Sequence, residues 1–190
     1  MQTLSSSLIR QAKRGSGDAM DHLFRMCGER LLALIRSRLG RDLRRRFESR
    51  DILQATMLKA FEKIDGFNGA DRASVMAWLV RIAENEIRDQ VDHHRRQRRN
   101  PAAEVPVERA VELTARVRSQ SSRIALSEDM ERVEKGLESV SDDYREVILL
   151  RYIGELSYRD IGRRMGRSPD ACRVLLARAM AALTAVVGDG

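Results

Sequence analysis

The chain has 190 residues, and its 35 Lys and Arg against 28 Asp and Glu give a formal net charge of +7 and a pI near 10.1. That balance suits a polyanion such as nucleic acid without fixing the partner. Two cysteines far apart, Cys27 and Cys172, without CxxC spacing, argue against a disulfide framework or zinc site, and no segment approaches the ~20 apolar residues of a membrane span. The expectation is a cytoplasmic protein without a membrane partner and with no cofactor.

In chain order, Gly15-Ser16-Gly17 breaks a short first helix, and Asp18 is placed to cap the next, with Asp21 three residues on. Leu23, Phe24, Cys27, Leu31, Leu34 and Ile35 then form one apolar stripe at helical spacing, ended by Gly40 and a basic run. A further helix over about 50–64 carries Leu53, Met57, Ala60, Phe61 and Ile64. Gly66 and Gly69 bracket a loop holding Phe67 and Asn68. From about Ala73 a long helix turns Val75, Leu79, Ile82 and Val91 inward and finishes in Arg95-Arg96-Gln97-Arg98-Arg99. The adjacent His93 and His94 diverge by roughly 100° on that helix and read as polar surface.

Pro101 and Pro106 lie in a polar stretch poor in large apolar residues, which reads as a linker with a residual helix around Glu108 to Val117. No alternating pattern supports a strand. The predicted architecture is all-α: an N-terminal helical bundle over 1–97, a flexible linker over 98–124 and a C-terminal helix-turn-helix domain over 125–190. Both blocks are near the lower size limit for an independent core.

The C-terminal block is densely punctuated. Leu126, Met130, Val133 and Leu137 share helical spacing. Ser141 starts a second helix with Asp142 and Asp143 in its first turn, where carboxylates complement the helix dipole. Ser157 and Asp160 make a capping box, flanked by Leu156 and Ile161 at the spacing of a hydrophobic staple. Gly166 is placed to take the left-handed conformation, and Ser168 caps another helix with Pro169 at its first position. Two helices joined by so short a turn form a helix-turn-helix, locked by Ile161, Met165, Cys172 and Leu176. An ordinary αα-hairpin has the same capping residues. The basic residues around the turn (Arg159, Arg163, Arg164, Arg167, Arg173) favour DNA, because phosphate contacts need them.

With these elements placed, two stretches resemble the extracytoplasmic-function (ECF) group of bacterial sigma-70 factors. One is RDILQATMLKAF at 50–61, followed by Phe67 and by MAWLVRIAEN at 76–85. The other runs from LLRY at 149–152 through LSYRDIG at 156–162 to Ser168 and ARA at 177–179. The resemblance implies a factor without catalytic activity that binds core RNA polymerase, through the β′ clamp and the β flap. It would read promoter DNA near −10 with its N-terminal domain and near −35 with its C-terminal domain. An anti-sigma factor is a further partner at the level of the family.

By that resemblance Asp51, Gln54 and Leu58 belong to a polymerase-contact helix, and Met57 is expected to share their face. Phe67, Asn68 and Gly69 lie on a loop that captures an unstacked promoter base, at a cost of a few kcal/mol that pocket contacts must offset. Trp78 reads either as a core anchor or as the support of that loop. Asn85 reads either as a solvated amide or as a group facing the −10 strand, with Arg81 on the same helix. Arg88, Arg95, Arg96, Arg98 and Arg99 read as a solvated run or as a clamp on upstream phosphates. In the C-terminal domain the expected DNA contacts are Arg159, Arg167, Ser168, Asp170, Ala171, Arg173 and Arg178, with the second helix in the major groove. Gly162 stands where the family usually has Ala, Pro169, Ala171, Cys172 and Arg173 stand in place of its usual recognition-helix residues, and Val174-Leu175-Leu176 replaces a commonly basic stretch.

Three rivals compete with this reading. A helix-turn-helix regulator acting without polymerase shares the C-terminal signal but leaves the Asp51–Leu58 patch unexplained. A small recombinase needs an activated nucleophile, and Ser5-Ser6-Ser7 has no base candidate beside it. An anti-sigma or scaffold protein has no need of basic recognition surfaces.

Overall fold

The computed structural model describes residues 6–97, 117, 124 and 126–188, without the side chains at 41, 42, 94, 95 and 97. The predicted linker lies outside the described residues apart from Val117 and Ile124, both buried, and so does most of the helix expected within it. The N-terminal helices are α1 (Ser6–Lys13), α2 (Gly17–Arg44), α3 (Ser49–Lys63) and α4 (Arg72–Gln97), with a 3-10 turn at Ile64–Gly66. The C-terminal helices are α5 (Glu128–Ser139), α6 (Asp142–Ile148), α7 (Tyr158–Met165) and α8 (Pro169–Gly188), with a π-helical turn at Leu149–Ile153 between α6 and α7. Among the described residues there is no strand.

Capping residues explain most of these boundaries. Ser16, rather than the expected Asp18, caps α2: its hydroxyl accepts from the Ala19 N–H at 3.3 Å, so the helix starts two residues earlier and Asp18 lies in its first turn. The helical path of α2 breaks at Gly40, with φ 61° and ψ 179°, where the apolar stripe was expected to end, and a last helical turn follows to Arg44. Asp71 and Ser74 cap α4 reciprocally, with Ser74 N–H donating to Asp71 Oδ1 at 2.8 Å and Asp71 N–H to Ser74 Oγ at 3.2 Å. The π-helical turn places an extra residue after α6, leaving Leu149, Leu150 and Ile153 buried and Tyr152 exposed.

Helix α2 is central. It packs on α1, α3 and α4, and its far side meets α5 and the π-helical turn. Leu31, Leu34 and Ile35 of α2, Leu53 and Met57 of α3 and Leu79 of α4 are almost fully buried. In the C-terminal half α8 supports α5, α6 and α7. The buried apolar residues of both halves form one continuous cluster. Each half is near the lower size limit for a separate core, so burying apolar surface jointly stabilises both.

Candidate nucleic-acid interface

On α3 the buried stripe runs through Ile52, Leu53, Thr56, Met57 and Ala60. Asp51 is exposed, and Gln54 and Leu58 are half-buried on a different side. At 100° per residue Leu58 lies within roughly 20° of Asp51 around the axis, whereas Met57 lies roughly 120° away. Met57 is therefore a core residue with no exposure, and its assignment to the polymerase patch is corrected. Ala55 and Glu62 complete the outer face in its place. Lys59, 2.5 Å from the buried Glu86, braces α3 against α4, and these two carboxylate–ammonium partners hold the patch on a fixed helix.

The loop before α4 is built around two rings. Phe67 and Trp78 lie 4.9 Å apart, tilted by 32°, within the spacing at which aromatic pairs attract. Phe67 is only 6% exposed, so it props the loop from beneath and is not a surface contact for a base; that expectation is corrected. Trp78 is half-buried, which unites its two readings: it anchors the core edge and supports the loop. Lys13 of α1 donates to the Phe67 carbonyl at 2.8 Å, a tie that no local sequence signal announces. Asn68 points outward at the tip, with Gly69 half-buried beside it.

Along α4, Arg81, Asn85, Arg88 and Arg96 are exposed and share one face. Arg88 donates to the Asn85 side-chain oxygen at 3.2 Å. The Arg95 side chain and residues Arg98 and Arg99 lie outside the described residues. A cleft of about 370 Å³ separates this face from α7, lined by Ala77, Val80, Arg81, Asp160, Arg163 and Arg164.

The C-terminal turn follows its capping residues closely. Ser157 Oγ accepts from the Asp160 N–H at 3.2 Å and lies 2.6 Å from the Asp160 carboxylate. Gly166 is left-handed, with φ 66° and ψ 33°. The Ala171 N–H donates to Ser168 Oγ at 3.1 Å. Ile161 and Cys172 are fully buried between the two helices, with Leu176 and Met165 beside them. Gly162 has its own physical reason: a Cβ there would come within 2.5 Å of the Arg167 carbonyl oxygen, so the usual Ala does not fit this turn.

Arg159 at the start of α7, Arg167, Ser168, Asp170, Ala171 and Arg173 around the start of α8, and Arg178 in its middle are all exposed. Arg167 pairs with Asp143 at 2.6 Å, and Arg173 pairs with Asp170. Two further residues join them. Tyr158 carries the Arg151 guanidinium 5.2 Å from its ring centre and that of Arg173 at 5.1 Å. The π-helical turn brings Arg151 there, which is why sequence spacing did not single it out. Cys27 and Cys172 are both buried, and burial pushes the Cys27 thiol up to about 11. Among the described residues no group of His, Cys, Asp and Glu is placed to hold a metal ion, and no helix is long and apolar enough to cross a membrane.

Two family models match the chain, one in each half. The sigma-70 region 2 family model matches residues 23–100 and the sigma-70 region 4 model matches residues 130–183, together more than two thirds of the chain. The ECF RNA polymerase sigma factor SigW of Bacillus subtilis is 26% identical over 85% of each chain. The RNA polymerase sigma factor CarQ of Myxococcus xanthus is 26% identical over 92% of each. The solved structure of CnrH in complex with the cytosolic domain of CnrY is 22% identical, covers 97% of each chain and aligns with a TM-score of 0.53, a likeness of fold. The chain belongs to the ECF group of the sigma-70 family, non-enzymatic transcription factors that direct promoter-specific initiation.

Proposed function

We propose that this chain docks on core RNA polymerase through Asp51, Gln54, Ala55, Leu58 and Glu62 of α3, and that it is itself no enzyme. The reading rests chiefly on one observation: this mixed polar and apolar face stays accessible on a helix whose opposite side is fully buried. A regulator acting on duplex DNA alone has no use for it. The N-terminal helices would serve the −10 element through Asn68, Arg81, Asn85, Arg88 and Arg96. The C-terminal helices would serve the −35 element through Arg159, Arg167, Ser168, Asp170, Ala171, Arg173 and Arg178, with Arg151 and Tyr158 positioning Arg173. Working with polymerase places the protein in the cytoplasm, and an anti-sigma factor is its third partner.

The test is promoter-directed transcription with purified core polymerase and this protein. Transcripts that start at discrete sites only when the protein is added support the proposal. Tight duplex binding without any core binding refutes it in favour of a polymerase-independent regulator. Gln54→Ala and Asp51→Ala should each weaken core binding by about tenfold, the effect of losing an interface anchor worth about 1.4 kcal/mol, with the helical content unchanged. Unaltered affinity in both variants would remove α3 from the interface.

A further inference from the structure

The two halves are joined by a set of ion pairs whose polarity is almost uniform. Among the described residues, Arg36 and Arg44 of α2 both pair with Glu134 of α5, and Arg44 also pairs with Glu138. Arg38 of α2 pairs with Glu146 of α6, and also with Glu84 of α4 at 3.1 Å. Glu84 in turn takes Arg164 of α7. Arg30 of α2 and Arg72 of α4 converge on Glu155, at 2.6 and 3.1 Å. One half thus offers a row of guanidinium groups along α2, and the other offers the carboxylates that cover it. Glu134, only 5% exposed, is held between two arginines. Ile124 packs against Gly28, and the Ser127 N–H donates to Glu29 at 2.9 Å, so the chain entering α5 is seated on α2 as well.

This closed arrangement conflicts with reading two promoter elements together. Arg164 of the helix-turn-helix touches Glu84 on α4, and the cleft beside it faces Arg81. Elements centred near −10 and −35 lie roughly 85 Å apart on B-DNA at about 3.4 Å per base pair. A compact body of this length has a radius of gyration of about 16 Å and a diameter of roughly 40 Å. It cannot place α4 on one element and α8 on the other while Arg164 holds Glu84.

We propose that the α2 arginine row and the carboxylates of α5, α6 and the turn before α7 form an intramolecular ionic latch. The latch keeps the free protein closed and must release before both promoter elements are engaged. This rests on the promoter reading above. Apart from Glu134 its members are partly solvent-accessible, so salt weakens them, and the apolar contacts that the two halves share must part together with the pairs.

Small-angle X-ray scattering on the full chain reads the latch directly. At about 0.1 M salt the native protein should show a radius of gyration near 16 Å. Above roughly 0.5 M, as the screening length falls toward 3 Å, it should rise past roughly 20 Å. The triple variant Glu134→Gln, Glu138→Gln, Glu146→Gln should be extended already at low salt, with unchanged helical circular dichroism. A chain with Arg36→Glu, Arg44→Glu, Glu134→Arg and Glu138→Arg keeps the pairing with its polarity reversed and should be compact again.

A triple variant as compact as the native chain, or a swapped chain that is extended, would overturn the latch. With core polymerase, the triple variant should form promoter complexes several-fold faster at low salt. Equal rates, with the variant shown to be open, would overturn its gating role. Absence of transcripts from native and variant alike would instead count against the initiation-factor reading, while scattering still decides the latch.

Discussion

The loop before α4 and the turn between α7 and α8 do comparable jobs by different means. Both present a short irregular segment beside a helix proposed to face DNA. The turn is held largely by caps that act within four residues: Ser157 with Asp160, Gly166 after α7, and Ser168 with Pro169 at the start of α8. The loop is held by partners further off, Lys13 of α1 on the Phe67 carbonyl and Trp78, eleven residues on, against the Phe67 ring. Local caps each contribute about 1 kcal/mol and fail one at a time. A buried ring contributes more, and its loss is felt by everything resting on it.

Truncating the ring should therefore give the largest effect. Phe67→Ala is expected to destabilise the protein by about 3 kcal/mol in urea unfolding. It should also shift the fluorescence of Trp78, the single tryptophan, to the red as water reaches the indole. A loss under about 1 kcal/mol would mean that the loop is held by its backbone ties alone. Gly162→Ala comes next, at about 2 kcal/mol, because the added methyl meets a backbone carbonyl that cannot swing aside. Its amide-exchange footprint should stay within α7, the turn and the start of α8. Ser157→Ala should cost about 1 kcal/mol and fray only the first turn of α7.

The same contrast explains what could be read in advance. Ser141, Ser157, Gly166, Ser168 and Pro169 act within four residues of themselves, and all were legible. Most of the α2 and α3 stripes were legible too, because burial follows the helical period. Met57 was misplaced because both sides of α3 carry apolar side chains, so pattern alone did not separate the outer face from the core. Phe67 was read from the loop it sits on, whereas the direction of its ring depends on Trp78, eleven residues on. The Arg151–Tyr158–Arg173 stack needs the π-helical turn, which no composition signal marks. The closed interface was hidden for a similar reason: Arg36 and Arg38 have their partners about a hundred residues away, and only the folded chain sets Glu134 and Glu146 against them.

The smallest predicted effect separates the two regions by their carboxylates. Hydrogen bonds from Ser74, first its hydroxyl and then its N–H, hold Asp71 below its ordinary 3.8. The Ser157 hydroxyl does the same for Asp160, helped by Arg163 and by the charge of Arg159. Each native pKa is depressed, so each cap's electrostatic contribution is complete above the unfolded value and is lost as pH falls through the native one. Side-chain NMR titration between about pH 2 and 6, spanning the ordinary carboxyl value near 4, should show both groups titrating below 3.8. In about 1 M salt Asp160 should move back toward 3.8 as Arg163 and Arg159 are screened, while Asp71, held by uncharged donors, should stay where it is. Equal salt responses would show that Arg163 does not contribute to the cap. The helix-turn-helix would then be held at this point by uncharged hydrogen bonds alone, as the start of α4 is.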